Sequence, residues 1–389
     1  MQQISNGVKI GVFLAERKSK RLISLDAFRG ITIASMILVN NPGSWGAIYH
    51  PLGHAKWHGW TLTDLIFPFF LFIIGVAIVF AFAKRIEVEQ SRKKLYLKVL
   101  KRTLILFGLG LLLNAFPFFH LSTLRIPGVL QRIAITYAIA SIIVLNTNIK
   151  WQAYIAGSLL IFYWMIMKFV PVPGYGAGVL EPQGNLCGFI DGILISGHTW
   201  INAPAEGFDP EGLLSTIPAI SSVLLGVLTG HWLKTKKSDL EKVVMLFVVG
   251  IAAIVLGEMM SIWFPINKNL WSSSYTVFTA GMALLFLGMC YWLIDIKGYR
   301  KWATPFLIFG SNAIAVYTLS SLLARAMVFW WKIPQQDGSA ISLKTFLYRI
   351  LFESWVSPTK ASLFYALTYI LIWLGLMTIL YRKKIFIKI

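Results

Sequence analysis

Residues 53–82 read GHAKWHGWTLTDLIFPFFLFIIGVAIVFAF. A turn rich in histidine and tryptophan runs straight into an apolar segment, and from Leu62 onward its one charged residue is Asp64. A run of this length and polarity suits a bilayer core, which takes about 20 apolar residues to cross. The whole chain has the same character. Of its 389 residues, 57% are hydrophobic and 13% charged, with mean hydropathy +0.69. A soluble domain of this size cannot bury so much apolar surface, so that surface faces lipid.

Working outward from residue 61, ten segments read as spans: about 22–41, 61–83, 103–120, 128–146, 151–170, 213–233, 243–263, 272–294, 303–329 and 361–381. They become eleven if the ninth is two pieces. The fold class expected is therefore an all-α integral membrane protein, a bundle of about ten transmembrane helices. The stretch 341–356, ISLKTFLYRILFESWV, mixes charge into an apolar pattern and reads as an interfacial helix. The first apolar run leads straight into span one, so no cleavable signal is expected. Residues 1–21 read as a basic cytoplasmic segment and 22–389 as one transmembrane domain in contact with membrane lipid.

The formal net charge of +20 is topological. Lys84, Arg85, Arg92, Lys93, Lys94, Lys98, Lys101 and Arg102 crowd one loop, Lys234, Lys236, Lys237 and Lys242 another, and Lys297, Arg300 and Lys301 a third. With ten spans these fall on the side of both termini, whereas 171–212 on the other side has no Lys or Arg. That asymmetry puts both termini in the cytoplasm and the loops 42–60 and 171–212 outside. It also removes nucleic acid as a reading of the charge. Cys187 and Cys290 form no CxxC and read as free thiols. No internal repeat of the kind that marks many transporters is visible.

Polar residues inside spans are costly and mark function. Asp26 and Arg29 lie three apart on span one, either as a local ion pair or with Arg29 turned inward to a phosphate. Asn40 lies about 16 Å further along the same helix, at 1.5 Å per residue. His50, His54 and His58 are spaced i, i+4, i+8, but Pro51 and Gly53 break the helix that would stack them as zinc ligands. A single catalytic imidazole is the better reading, and no metal is expected. Asp64 could cap its helix or orient a histidine through the second ring nitrogen.

Six blocks then occur in order: RLISLDAFRG (21–30), VNN (39–41), HAKWHGWTLTDLIFPFFLFIIG (54–75), LRIPGVLQRIAITY (124–137), FDPEGLLSTIPAISSVLLGVLTG (208–230) and NKNLWSSSYTVFTAG (267–281). Together they resemble the heparan-α-glucosaminide N-acetyltransferase family of membrane acyltransferases, from about residue 21 to the C-terminus. The resemblance implies a minimal, bacterial form in the inner membrane, without the luminal N-terminal domain of the lysosomal member. It implies acetyl transfer from cytoplasmic acetyl-CoA to the amine of a terminal glucosamine on the far side, and a homodimer. The family's active-site histidine, in HAxW, falls on His54, and its active-site asparagine on Asn40.

Those positions suit the chemistry. Attack on a thioester needs an acceptor for the amine proton and donors for the oxyanion. His54 can be the base or can carry the acetyl group as an acyl-imidazole. Asn40 can be an oxyanion donor, worth about 3 kcal/mol, or a substrate clamp. Arg29, Arg125, Arg132 and Lys268 are the candidate cations for CoA phosphates. Asp209 and Glu211 either cap span six or bind the amino-sugar cation. Asn267, Asn269 and Trp57 are the remaining candidate sugar contacts. Glu258 and Arg325 are intramembrane charges with no assigned role, readable as structural partners. The rival of another class is a transporter or flippase for a sugar or lipid-linked sugar, with His54 as proton relay.

Overall fold

The computed structural model describes residues 22–87 and 91–387; the basic segment 1–21 lies outside the described residues. The protein is an all-α bundle with two short hairpins, β1–β2 (Pro171–Val172, Gly176–Ala177) and β3–β4 (Lys332–Pro334, Ala340–Ser342). Its helices are α1 (Ile23–Asn40), α2 (Ile66–Glu87), α3 (Arg92–Ala115), α4 (Val129–Asn146), α5 (Ile149–Phe169), α6 (Leu186–Leu194), α7 (Thr216–Lys234), α8 (Asp239–Ser261), α9 (Ser273–Cys290), α10 (Thr304–Ser311), α11 (Ala313–Phe329), α12 (Leu343–Tyr348) and α13 (Pro358–Arg382). Among the described residues eight are long and apolar enough to cross a membrane, and a ninth path is the α10–α11 pair. The chain is thus a multi-span integral membrane protein.

Two segments differ from the sequence expectation, each for a local reason. The third expected span, 103–120, falls on the helix α3, which runs from Arg92 to Ala115 and, with its basic turns, is not among those eight. Lysine and arginine are good helix formers, so the helix continues back through the basic turns, capped by the Ser91 side chain. It stops where Pro117 excludes the helical conformation at Phe116. The ninth span is broken at Asn312, where α10 and α11 meet at 73°. There Asn312 Nδ2 donates to the Ile385 carbonyl (3.1 Å) and its Oδ1 accepts from Ile387 N (2.8 Å), exchanging helix bonds for tail bonds.

The helices pack through bare backbone. A methyl added at Gly75 of α2 would land on the Val223 carbonyl of α7, and one at Gly226 of α7 on the Phe72 carbonyl of α2. Gly30 of α1 meets Phe306 of α10 in the same way. Within lipid, where the hydrophobic effect does not drive helices together, such close approach is what holds them. Gly75→Ala is therefore expected to destabilise the protein by about 1–3 kcal/mol. Gly108→Ala, whose new methyl meets nothing within 4 Å, should not. Melting temperatures of the two variants in detergent check this.

The segment 171–212, read as a loop, folds into a cap. Leu186, Cys187 and Phe208 cluster with Trp57, Tyr163, Phe264 and Leu270, joining four separate stretches. The Trp57 indole donates to the Leu180 carbonyl (2.8 Å), and Gly59 N donates to the Ile266 carbonyl (2.8 Å). The histidine turn is thereby clamped between the cap and the α8–α9 connection. The opposite end of the bundle is tied by Ser24 N on Asp295 Oδ2 (3.0 Å).

Candidate active site

The turn before α2 positions its carboxylate twice over. Thr61 and Asp64 form a capping box, in which Asp64 Oδ2 accepts from Thr61 N (3.0 Å). The same oxygen accepts from Ala55 N (3.0 Å). The other oxygen, Oδ1, lies 2.7 Å from His54 Nδ1. Asp64 is buried, while His54 is about half exposed. A carboxylate receiving two backbone N–H groups is acceptor-only and holds the His54 proton on Nδ1. Nε2 is left as the basic nitrogen. One side chain thus caps the turn and hydrogen-bonds the His54 ring.

Lys268, from the connection between α8 and α9, lies against the same imidazole. Its Nζ is 3.0 Å from Nδ1, 3.3 Å from Nε2 and 3.7 Å from Asp64 Oδ1. A group nearly equidistant from two nitrogens that flank one carbon lies on neither lone pair, so Nε2 keeps its acceptor direction. Burial lowers the Lys268 pKa from its ordinary value, against the pull of Asp64 and Glu211.

His54, Asn40, Lys268, Glu211 and Asn269 line a cavity of about 370 Å³. Arg125, Val129, Trp200 and Asn40 belong to its wall and also to that of a second chamber of about 380 Å³. That chamber shares Leu130 with a third, of about 330 Å³, which contains Arg29, Arg102 and Tyr137 toward the other end. A larger cavity, about 890 Å³ between α1, α2, α8 and α9, has only Thr32, Ser35 and the Trp292 indole to offer as polar groups. It holds no acid, base or nucleophile, so size does not mark the chemistry here.

The remaining candidates separate. Arg29 pairs with Asp26 at 3.1 Å, in the third chamber and away from His54. Arg125 lines the first two chambers but is bonded to Asp209 through Nε (2.7 Å) and Nη2 (2.6 Å), and to Glu211 (2.5 Å). Burial pushes Glu211 up, but the Arg125 charge outweighs it and holds that carboxyl below its ordinary range. Asp209, fully buried, has both oxygens on Arg125, whereas Glu211 lines the first chamber. Arg132 is buried on the Trp271 ring, with Nη2 on Ser215 Oγ (2.5 Å) and the Gly212 carbonyl (3.2 Å); it braces the turn carrying Glu211. Asn267 is buried too, accepting from Leu270 N (2.9 Å) and donating to His58 Nδ1 (3.2 Å), which shapes the Lys268 turn. Trp57 contributes an edge of the cavity wall from within the cap. His50 sits in an exposed turn and His58 faces Asn267 and Glu181, so the three histidines have separate surroundings. Among the described residues no ion pair joins Glu258 to Arg325, whose Nη1 donates to the Phe116 carbonyl (3.0 Å). Arg102, read only as topological charge, joins Arg29 in the third chamber.

Fold and site together define a multi-span membrane protein with a carboxylate-oriented imidazole at one end of its bundle, in a cavity adjoining further chambers toward the other end. Comparison with known proteins narrows this. The family model described as heparan-alpha-glucosaminide N-acetyltransferase, catalytic, matches residues 21–264, and the chain belongs to that family. It is 28% identical to the heparan-alpha-glucosaminide N-acetyltransferase of Mus musculus, over 95% of this chain and 61% of that protein. With the human protein of the same name it is 29% identical, over 95% of this chain and 60% of that one. The chain thus spans about three-fifths of the length of the curated relatives it matches.

Proposed function

We propose that the protein is a transmembrane N-acetyltransferase that moves an acetyl group from acetyl-CoA to the amine of a glucosamine-type sugar. The observation that carries this reading is the His54 Nδ1–Asp64 Oδ1 bond of 2.7 Å inside a cavity that Asn40 also lines. The amine nitrogen forms a bond to the thioester carbon while its proton passes to His54 Nε2. The tetrahedral oxyanion then collapses, and the CoA thiolate leaves and recovers that proton from the imidazolium. Asn40 supplies an amide N–H to the oxyanion. The adjoining chambers let donor and acceptor meet at once, which favours direct transfer over an acyl-imidazole. Purified protein in detergent should release free thiol from acetyl-CoA only when glucosamine is added; a transporter would release none. Radiolabelled acetyl-CoA without acceptor should leave no label on the protein, and stable labelling would establish the acyl-histidine route instead.

In this reading both termini are cytoplasmic, the membrane is a bacterial inner membrane, and the sugar binds at the outer face. Cysteine introduced at Ser196 should then react with a membrane-impermeant thiol reagent in intact cells, and cysteine at Lys236 should not. The native Cys187 and Cys290 are buried and add little background. The reverse pattern would turn the protein over in the membrane.

The donor phosphates belong at the Arg29–Arg102 chamber, from which the pantetheine arm reaches toward Asn40. The buried Nε of Arg102 has no hydrogen-bond partner among the described residues, and its guanidinium lies over the Tyr137 ring, 4.8 Å from the centroid. Arg102→Ala is expected to raise the KM for acetyl-CoA about tenfold, ~1.4 kcal/mol, with the glucosamine KM unmoved. Kinetics with each substrate varied in turn check it.

A further inference from the structure

The cavity of about 890 Å³ between α1, α2, α8 and α9 stands apart from the chemistry, and its dimensions suit a hydrocarbon chain. Along α9 and the turns that continue it, the lining runs from Met282 to Trp292, ten residues or about 15 Å of helix. That is half of the ~30 Å hydrocarbon core, the depth of one leaflet. The lining also says which leaflet. Leu240 lies in the first turn of α8, and Trp292 in the last turns of the Ser273–Ile296 span. Both are at the end of the bundle where the basic connections 234–242 and 295–301 lie. The cavity opens sideways there, since Leu240 is 64%, Met289 40% and Trp292 39% exposed. In a bilayer that opening faces acyl chains.

The mouth carries charge of one sign. The connection 234–242 has Lys234, Lys236, Lys237 and Lys242 against Asp239 and Glu241, and 295–301 has Lys297, Arg300 and Lys301 against Asp295. The two therefore hold four positive charges in excess. Their carboxylates are engaged. Asp239 accepts from Tyr291 Oη (2.7 Å), Glu241 pairs with Lys237 (2.8 Å), and Asp295 accepts from Ser24 N (3.0 Å). Lys297 has no ion pair among the described residues, and its Nζ lies over the Trp292 ring, 5.5 Å from the centroid. The same ring lines the cavity, so this ammonium stands at its rim. Basic sites beside transmembrane helices attract anionic lipid headgroups.

We propose that this cavity is a binding site for an anionic phospholipid of the leaflet at the basic end of the bundle. An acyl chain lies between Phe28 of α1, Phe247 of α8 and Leu285 of α9, and the phosphate meets Lys297 at the rim. A second copy of the chain is the poorer occupant. Two copies packed side by side about a twofold axis bring the same basic ends together, and their excess charges repel. A phosphate without chains would leave the apolar lining unfilled. The inference stands independently of the transferase reading.

The test measures lipid binding to the full-length protein, purified and delipidated in a neutral detergent, by native mass spectrometry and melting temperature. Phosphatidylglycerol is expected to bind about tenfold more tightly than phosphatidylcholine with the same chains, and to raise the melting temperature further. Glycerol 3-phosphate, a headgroup without chains, should do neither. Lys297→Gln should cut the preference for phosphatidylglycerol several-fold and leave phosphatidylcholine binding as it was. Met289→Trp, which fills the cavity from its exposed rim, should weaken both phospholipids about tenfold. Should that variant fail to fold, the smaller Met289→Phe replaces it, and the Lys297→Gln result stands by itself. Equal binding of the two phospholipids to the wild type overturns the inference, as does equal stabilisation by glycerol 3-phosphate. A folded Met289→Trp with both affinities unchanged places the lipid elsewhere. If that variant instead loses a dimer seen by mass while binding lipid normally, the face belongs to a second copy and the inference is lost.

Discussion

Replacing His54 with alanine is expected to abolish acetyl transfer, with a loss of about 10²–10⁴ in kcat and an unchanged melting temperature. The side chain is half exposed and its one carboxylate partner keeps two backbone donors, so little of the fold depends on it. His50→Ala and His58→Ala should retain most activity, because neither residue lines the cavity. Asp64→Asn makes the sharper experiment. The new amide oxygen can still accept from Ala55 and Thr61 and cap the turn. Its NH₂, however, now faces His54 Nδ1, and a donor there forces Nδ1 to accept and moves the ring proton to Nε2. The base is then occupied at the atom where it must be free. A loss close to that of His54→Ala is expected in kcat, with both substrate KM values within a few-fold of wild type. Full activity in Asp64→Asn would limit Asp64 to capping the helix and remove the dyad from the mechanism.

The sequence makes the membrane class legible because the signal is local. Apolar runs of about 20 residues need no tertiary information to be read. That the ninth segment could be two pieces was an open alternative, but the position of the break at Asn312 was not legible, because it rests on bonds to the distant tail at Ile385 and Ile387. The start of α3 was not, because the run of lysines and arginines from Arg92 to Arg102 reads as a loop by charge while remaining helical by propensity. The cap over 171–212 depends on contacts with Trp57 and Leu270, distant in sequence, and no periodicity announces it. The site divides along the same line. Asp64 lies ten residues from His54 in the same connected stretch, and a contact with a histidine was one of two readings open to it. Arg125 meets Asp209 across 84 positions, so a guanidinium and the two carboxylates bonded to it were read as separate candidates for phosphate and amine. Lys268 reaches His54 across 214 positions, and as a lone lysine in the connection between α8 and α9 it was grouped with the phosphate cations.

Lys268→Met is expected to lower kcat by about 10²–10³ while moving the KM for acetyl-CoA little, the signature of a charge used in the transition state. The geometry gives the reason. A thioester carbon approached by an amine hydrogen-bonded to His54 Nε2 develops its oxyanion within reach of Nζ, which lies 3.3 Å from that nitrogen. An ammonium held there before reaction stabilises the oxyanion without reorganising, in a cavity where water screens it poorly. Asp64 at 3.7 Å keeps the ammonium in place, and the backbone donors to Asp64 keep that carboxylate ionised in turn. The pH profile separates this role from a structural one. Burial lowers the Lys268 pKa, so the ammonium loses its proton below the ordinary lysine range. Activity that needs the charged form must therefore fall as pH rises through that lowered value. Lys268→Arg, charged throughout, should keep part of the activity and lose the alkaline fall, and Lys268→Met should lose the fall along with the rate. A variant with wild-type kcat and a raised KM for acetyl-CoA would return Lys268 to the phosphate-binding cations and leave the oxyanion to Asn40.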